Sequence, residues 1–302
     1  MIKFSRKYFF ICLVVLFLLY ALVFCVLFEK NYKAKHGYSF FFGKRPLISV
    51  LVTSYNYEQF LRKTLDSILD QTYKKYEVII VDDGSTDNSI ELINEYTHRY
   101  PNFHLYQHEG GINKGFPVSV KFGVEKVKGE YVAFLESDDY WRKDKLEEVV
   151  KMINKYPDAV FISNGVFPFT DDYDFNMLQT RVYLKDIMGL LEEKNTNILD
   201  TNNLLYSTIP TLSAVVMKKS VLINLDFNTP NAPFLDIWLY YQLIYKYPLY
   251  HIKKNLTFWR RHANSLSNRL NENYNGIFIE NEFKKLINKT LSHQANSVTD
   301  KQ

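Results

Sequence analysis

Beyond residue 46 the chain alternates short apolar runs with segments whose apolar residues recur at helical spacing. "LISVLVTSYN" (47–56) opens as a continuous β-branched run, the pattern of a strand buried on both faces. Residues 58–71 place Leu61, Leu65 and Leu69 on one stripe with Phe60 and Ile68 beside it, which predicts a helix. "YEVIIVDDGSTDNS" (76–89) reads as a second buried strand breaking into a turn, and "SIELINEYTHRY" (89–100) as a second helix. A short strand over 102–109, a helix over 116–127, a strand over 130–135 and an amphipathic helix over 143–155 continue the series. Strands alternating with helices from residue 47 to about 165 predict a parallel α/β sheet. After that the pattern is irregular. An acidic, aromatic insertion occupies 169–200, an apolar strand is expected at 213–217 and a helix at 234–247. The tail from 269 is polar and Asn-rich, with one helix expected near 276–290, and no internal repeat is found.

The N-terminus follows a different rule. Residues 8–28, YFFICLVVLFLLYALVFCVLF, hold 21 positions without a charge. At about 1.5 Å per residue such a helix spans the roughly 30 Å hydrocarbon core of a bilayer. A cleaved signal peptide would have an apolar region of about 7–15 residues and a small-residue cleavage site. This run is longer and exits through Leu27-Phe28-Glu29-Lys30, so an uncleaved, single-pass membrane anchor is expected. Lys3, Arg6 and Lys7 precede it, while Lys30, Lys33, Lys35, Lys44 and Arg45 follow, which leans toward a cytoplasmic C-terminal part. Both cysteines, Cys12 and Cys25, lie inside the run, in keeping with a reducing compartment. The sequons at Asn255 and Asn288 matter only if that part is luminal. The expected layout is a tail (1–7), the transmembrane helix (8–28), a basic aromatic linker (29–46), one domain (47–268, in halves 47–145 and 146–268) and a C-terminal tail (269–302).

Composition narrows the chemistry. The net charge of the 302 residues is only +4 with the basic residues dispersed, which gives no support to nucleic-acid binding. In open parallel sheets, ligands bind beyond the carboxyl ends of the strands. Three strands here end in polar sequence: Thr53-Ser54-Tyr55-Asn56, Asp82-Asp83-Gly84-Ser85 and Glu136-Ser137-Asp138-Asp139. In the last, three carboxylates fall within four positions, where like charges repel and raise one another's pKa. A cation between them relieves the conflict; an ordinary acidic turn is the other reading. "DDGST" lacks the Asp-x-Asp-x-Thr spacing of a haloacid dehalogenase phosphatase, since Ser85 stands at the second Asp. No G-x-x-x-x-G-K-[ST] or G-x-G-x-x-G turn follows the first strand. Zinc is unsupported without cysteines or paired histidines. Carboxylates beside a diphosphate suit Mg²⁺ or Mn²⁺.

Residues 47–145 resemble the nucleotide-sugar-binding half of family 2 glycosyltransferases. The stretches that carry the likeness are "SVLVTSYNYEQFLRKTLDSILDQTYKKYEVIIVDDGSTDNS", "GGINKG" and "KGEYVAFLESDDYW". "FLDIW" and "FWRRHANSLS" are similar to the acceptor-side motifs, and the five motifs keep the family's order over roughly 47–268. The resemblance implies a GT-A fold (Rossmann-like, mostly parallel α/β) and inverting transfer from a nucleotide-sugar donor, UDP-linked by preference, to a glycan or lipid-linked acceptor. Thr53 and Tyr55 then contact the uracil and ribose, Asp83 accepts from the base, and Asp138 and Asp139 bind ribose and metal. Asp236 is the catalytic base and His262 lies near the diphosphate or metal. The chain departs from the family pattern at Glu136 (first Asp of the Asp-x-Asp), Leu235 (a Glu before the base) and Val120 (an Arg that holds the nucleotide). Lys114 or Lys121 would replace that Arg as a point charge, without its bidentate fork.

Each residue also has a local explanation. Thr53 and Tyr55 could simply end a strand, Asp83 and Asp236 could cap helices, and His262 could be a satisfied surface histidine. Two other functions compete with the glycosyltransferase. A nucleotidyltransferase would show a Gly-rich, basic loop after the first strand, where "TSYNYEQF" has neither Gly nor Lys. A non-catalytic, membrane-anchored nucleotide-sugar-binding protein would follow if Val120 and Leu235 mark decay.

Overall fold

The computed structural model describes residues 6–36, 43–171, 194–195, 211–228, 235–244, 246–263 and 265. The expected helix near 276–290, the rest of the C-terminal tail and most of the 169–200 insertion lie outside these residues.

The chain divides into two compact units, Met1–Arg45 with Val150–Asp158, and Pro46–Val149 with Ala159–Gln302. The first contains α1 (Arg6–His36), whose large apolar side chains from Val14 to Phe28 are exposed. Among the described residues it is the one helix long and apolar enough to cross a membrane, over Val14–Asn31; length and composition alone also admit an N-terminal signal sequence. Asn154 Nδ2 donates to the Lys44 carbonyl at 3.0 Å within this unit.

The second unit carries the sheet. β1 (Ile48–Ser54), α2 (Glu58–Leu69), β2 (Tyr76–Asp82), α3 (Ser89–Arg99), β3 (Phe103–Gln107), α4 (Phe116–Lys126) and β4 (Tyr131–Glu136) follow the alternation read from the sequence. β5 (Tyr140–Trp141), α5 (Lys145–Lys155), β6 (Phe161–Phe169), β7 (Lys194–Asn195), β8 (Val215–Lys218), α6 (Lys219–Leu222), α7 (Leu235–Ile244) and β9 (Leu249–Arg260) complete it. Nine strands form one sheet among the described residues, in the order β3-β2-β1-β4-β8-β6-β9-β5, with β7 also on β9. The first four run parallel, as expected. β8 is antiparallel to both β4 and β6, which makes the whole sheet mixed. An isolated apolar run such as 213–217 does not encode its direction. β9 was not expected, because "LYHIKKNLTFWR" interrupts its apolar residues with Lys253, Lys254 and Asn255 and has no turn residues marking its ends.

β1, β2 and β4 read as unbroken apolar runs because both faces are covered. Leu51, Ile79, Val81, Val132 and Phe134 share a core with Val120 and Val124 of α4 and Leu235 and Leu239 of α7. The alternate residues Val50, Val52 and Ile80 are equally buried, as are Leu61, Leu65 and Ile68 of α2. Val120 is thus a core residue. Lys121, next to it, is exposed.

One glycine fixes how two rim loops meet. Gly84 has φ +81°, and a Cβ there would lie 2.7 Å from Gly111 O and 2.8 Å from Asn113 N. Gly84→Ala is therefore expected to cost at least about 1–2 kcal/mol from backbone conformation alone, with the backbone clash in addition. Urea denaturation measures it, and a loss below about 0.5 kcal/mol, the range of neutral surface changes, would show that the loops part easily.

Candidate active site

Pairing in register brings the ends of the first strands to one rim: Thr53 lies opposite Glu136, and Ser54 opposite Asp82. The loops that follow are tied together by their own polar residues. Asp82 accepts from Ser85 N at 2.8 Å and Ser85 Oγ at 2.6 Å, closing the turn after β2. Asn56, with φ +53°, accepts from Thr86 N at 2.7 Å. The starts of α2 and α3 satisfy each other: Glu58 N–H donates to Asp87 Oδ2 at 3.1 Å and Asn88 N–H to Glu58 Oε2 at 2.6 Å. Asp83 is buried, and its two oxygens accept from Lys114 N–H at 2.8 Å and Gly115 N–H at 2.9 Å. His108 Nε2 lies 3.4 Å from Asp83 Oδ1 and 2.8 Å from Ser119 Oγ. Asp83 therefore holds the 113–115 loop, a task not foreseen from the sequence, and its lone pairs are partly used.

The acidic cluster lies past β4. Asp139 is buried; Oδ1 accepts from Arg260 N–H at 2.8 Å and Oδ2 from Thr211 Oγ1 at 2.9 Å. Thr211 Oγ1 also lies 2.6 Å from Glu136 Oε2, and Ser213 Oγ accepts from Glu136 N–H at 2.9 Å. Asp138 is half-buried, and its Oδ2 stands 3.2 Å from His262 Nε2. Arg260 closes the group, donating Nε to the Asp138 carbonyl at 2.8 Å and pairing with Asp171. Its guanidinium stacks between Phe60 and Phe169, 4.4 and 4.6 Å from the ring centroids, while the His262 ring packs on Phe60 at 4.9 Å.

Electrostatics follow from this crowding. Burial first, then Asp138 and Asp139, pushes the Glu136 carboxyl well above the ordinary carboxylate range, and Asp236 adds to the effect. Burial and Asp138 push Asp139 up to about 7, against the hydrogen bonds that stabilise its charge. A carboxyl raised from 3.8 to about 7 contributes stability that is complete below the lower value and is lost as pH rises through the upper one. Without divalent cation, melting temperature is therefore expected to fall more steeply between about pH 4 and pH 7 in the native chain than in Asp139→Asn. Parallel curves for the two would remove Asp139 from the account.

The structure thus brings Asp138, Asp139 and His262 together beside Glu136. Asp236 sits half-buried in the first turn of α7, close enough for its charge to act on Glu136. Thr53, half-buried, and Tyr55, 38% exposed, stand on the same rim. Lys114 contributes its backbone N–H to Asp83, and its side chain is exposed. Asp139, expected from the sequence to ligate a metal with Asp138 and His262, accepts one hydrogen bond at each oxygen and is only 1% exposed. Asp138 and His262 set a carboxylate oxygen beside an imidazole nitrogen. Among the described residues no three His, Cys, Asp or Glu side chains are grouped to hold an ion. Two protein ligands with the rest from phosphates is an ordinary arrangement for a hard cation.

Thr211, Ser213 and Lys145 were missed by sequence reading. Thr211 lies just before the apolar run expected at 213–217 and Ser213 at its first position, and Lys145 sits in "RKDKLEE", which looks like a solvated helix start.

The rim of polar strand ends, the acidic cluster beside it and the mixed sheet are those of a GT-A fold. The model of glycosyl transferase family 2 matches residues 49–213, more than half of the chain, and the chain belongs to that family. TuaG of Bacillus subtilis (strain 168), a glycosyltransferase named for teichuronic acid biosynthesis, is 39% identical over 109 residues, 36% of this chain and 42% of its own length. Glycosyltransferase GlyA of Streptococcus pneumoniae is 33% identical over 161 residues, 53% of this chain and 22% of its own. The matches thus span less than half of either relative. Among solved structures, S. aureus TarS 1–349 aligns with TM-score 0.55 at 19% identity, covering 70% of this chain and 60% of that one. Mannosyltransferase PcManGT of Pyrobaculum calidifontis, in complex with GDP-Man and Mn²⁺, aligns with TM-score 0.53 at 18% identity, covering 74% and 59%. At these identities the likeness is one of fold.

Proposed function

We propose that this chain is an inverting glycosyltransferase that moves a sugar from a nucleoside-diphosphate donor, UDP-linked by preference, to a hydroxyl of a glycan or lipid-linked acceptor in surface-polysaccharide or glycolipid synthesis. The observation that carries the reading is the convergence of Asp138, His262 and Asp236 on the rim beside Glu136. TarS has been crystallised with UDP and with UDP-GlcNAc, and TuaG is named for a surface polymer, which supports the donor and acceptor classes.

In this reading residues 47–145 hold the donor and 146–268 the acceptor, with residues 8–28 as the membrane anchor and the domain on the cytoplasmic face. Thr53, Tyr55 and Asp83 line the nucleoside end, and Lys114 and Lys121 supply positive charge. Asp138 and His262 would hold Mg²⁺ or Mn²⁺, which as a Lewis acid neutralises charge building on the departing diphosphate. Asp236 takes the proton from the acceptor hydroxyl as it attacks the anomeric carbon from the opposite face, inverting that centre.

The full chain in detergent, given a panel of nucleotide sugars with Mg²⁺ or Mn²⁺, tests this. Release of nucleoside diphosphate with an inverted product supports it. Pyrophosphate release would make the protein a nucleotidyltransferase, and donor binding without turnover a nucleotide-sugar-binding protein.

A further inference from the structure

Lys145 is a buried amine that the chemistry above leaves unused. It stands at the start of α5 and is 0% exposed, although lysine is almost never fully buried without a partner. Its Nζ donates to the Ser213 carbonyl, lies 3.0 Å from Thr257 Oγ1, and sits 4.2 Å from the Trp141 ring centroid. Trp141 Nε1 donates to the same carbonyl at 2.9 Å and Thr257 Oγ1 at 3.2 Å. Three donors from β5, α5 and β9 therefore converge on one backbone oxygen, which offers two lone pairs. Asn164 Nδ2 in turn donates to Thr257 Oγ1 at 3.0 Å, so β6 is tied in as well. The turn held in this way is Thr211–Ala214, whose Thr211 hydroxyl touches Glu136 and Asp139 and whose Ser213 hydroxyl receives the Glu136 N–H.

We propose that Lys145 is a positioning residue for the acidic cluster: it pins the Thr211–Ala214 turn from behind. The front of that turn then fixes Glu136 and Asp139 and leaves Asp138 beside His262. The activity part of the test rests on the glycosyltransferase reading; the binding part rests only on a divalent cation and UDP binding at the acidic cluster.

Lys145→Met in the full chain keeps an unbranched side chain, one atom shorter, and removes the donor. Misplacement by about 1 Å can cost on the order of a hundredfold in rate, so kcat is expected to fall between about tenfold and a hundredfold. The donor KM should change less than about twofold, because Thr53, Tyr55 and Asp83 lie on other loops. Mn²⁺ binding in the presence of UDP, read by electron paramagnetic resonance, should weaken by about tenfold or more, the range for supporting residues of metal sites. Thr211→Val, which removes the bridge itself, should weaken Mn²⁺ in the same way. If Lys145→Met does not fold, Thr257→Val removes one of the three donors and should give a smaller weakening of the same kind. A folded Lys145→Met or Thr257→Val protein with native Mn²⁺ affinity overturns the proposal, as does a wild-type protein that binds no Mn²⁺ with UDP. A wild-type protein that binds Mn²⁺ and UDP but transfers no sugar overturns the glycosyltransferase reading and leaves Lys145 to be judged on binding alone.

Discussion

Asp138→Ala is expected to lower kcat by about a hundredfold to a thousandfold, the usual cost of removing a group that stabilises charge in the transition state. Its melting temperature should stay close to that of the native protein, because the side chain is half-buried and pairs with a histidine at 3.2 Å. The neighbouring residue should behave in the opposite way. Asp139→Ala would strip the buried Arg260 N–H of its acceptor and leave the Thr211 hydroxyl with Glu136 alone. An orphaned buried donor costs about 1–3 kcal/mol, so the protein should lose stability before chemistry is even measured. A pair of melts and a pair of single-turnover assays separate the two. Retention of more than a tenth of native turnover by Asp138→Ala in saturating Mn²⁺ would sink its assignment.

That contrast also marks where sequence reading stops. Asp138 and Asp139 are equivalent on paper, two acids at the end of an apolar run. What divides them arrives from far along the chain, Thr211 72 residues later and Arg260 121 residues later. Local pattern cannot rank neighbours whose burial is decided by such distant partners. The parallel half of the sheet was legible because β1, β2 and β4 are apolar on both faces and their polar ends mark the rim. The antiparallel half was not, since β8 is a short run without direction and β9 carries polar residues in its middle. Asp83 shows a milder version. Its place on the rim could be read from "VDDGS", but its grip on the Lys114 and Gly115 N–H groups depends on Gly84 allowing the second loop to come within contact. Lys145 is the extreme case, a lysine in a charged stretch whose burial requires β5, β6, β9 and the 211–214 turn all to be in place.

The second large effect concerns Asp236. Two explanations of this residue make different predictions. As a first-turn acid of α7 it interacts favourably with the helix dipole, an effect of about 0.3–1 kcal/mol on stability and none on chemistry. As the general base it must accept a proton from the acceptor, and the asparagine of Asp236→Asn has the shape but not the basicity to do so. General acid–base catalysis contributes about a hundredfold to ten-thousandfold, so kcat for transfer should fall by at least about a hundredfold. The donor KM should be unchanged, since the groups proposed for nucleotide binding lie on β1, β2 and the loop at Lys114. Lys145→Met, by contrast, is expected to weaken Mn²⁺ binding, whereas Asp236→Asn should leave it intact, and that separates loss of the base from disturbance of the acidic cluster. Glu136 provides an internal check, because the charge of Asp236 acts on its carboxyl and is lost in the variant without any change in side-chain size. Donor affinity falling in step with turnover would move Asp236 from the acceptor to the donor side, and full turnover with a slightly lower melting temperature would reduce it to a helix-start residue.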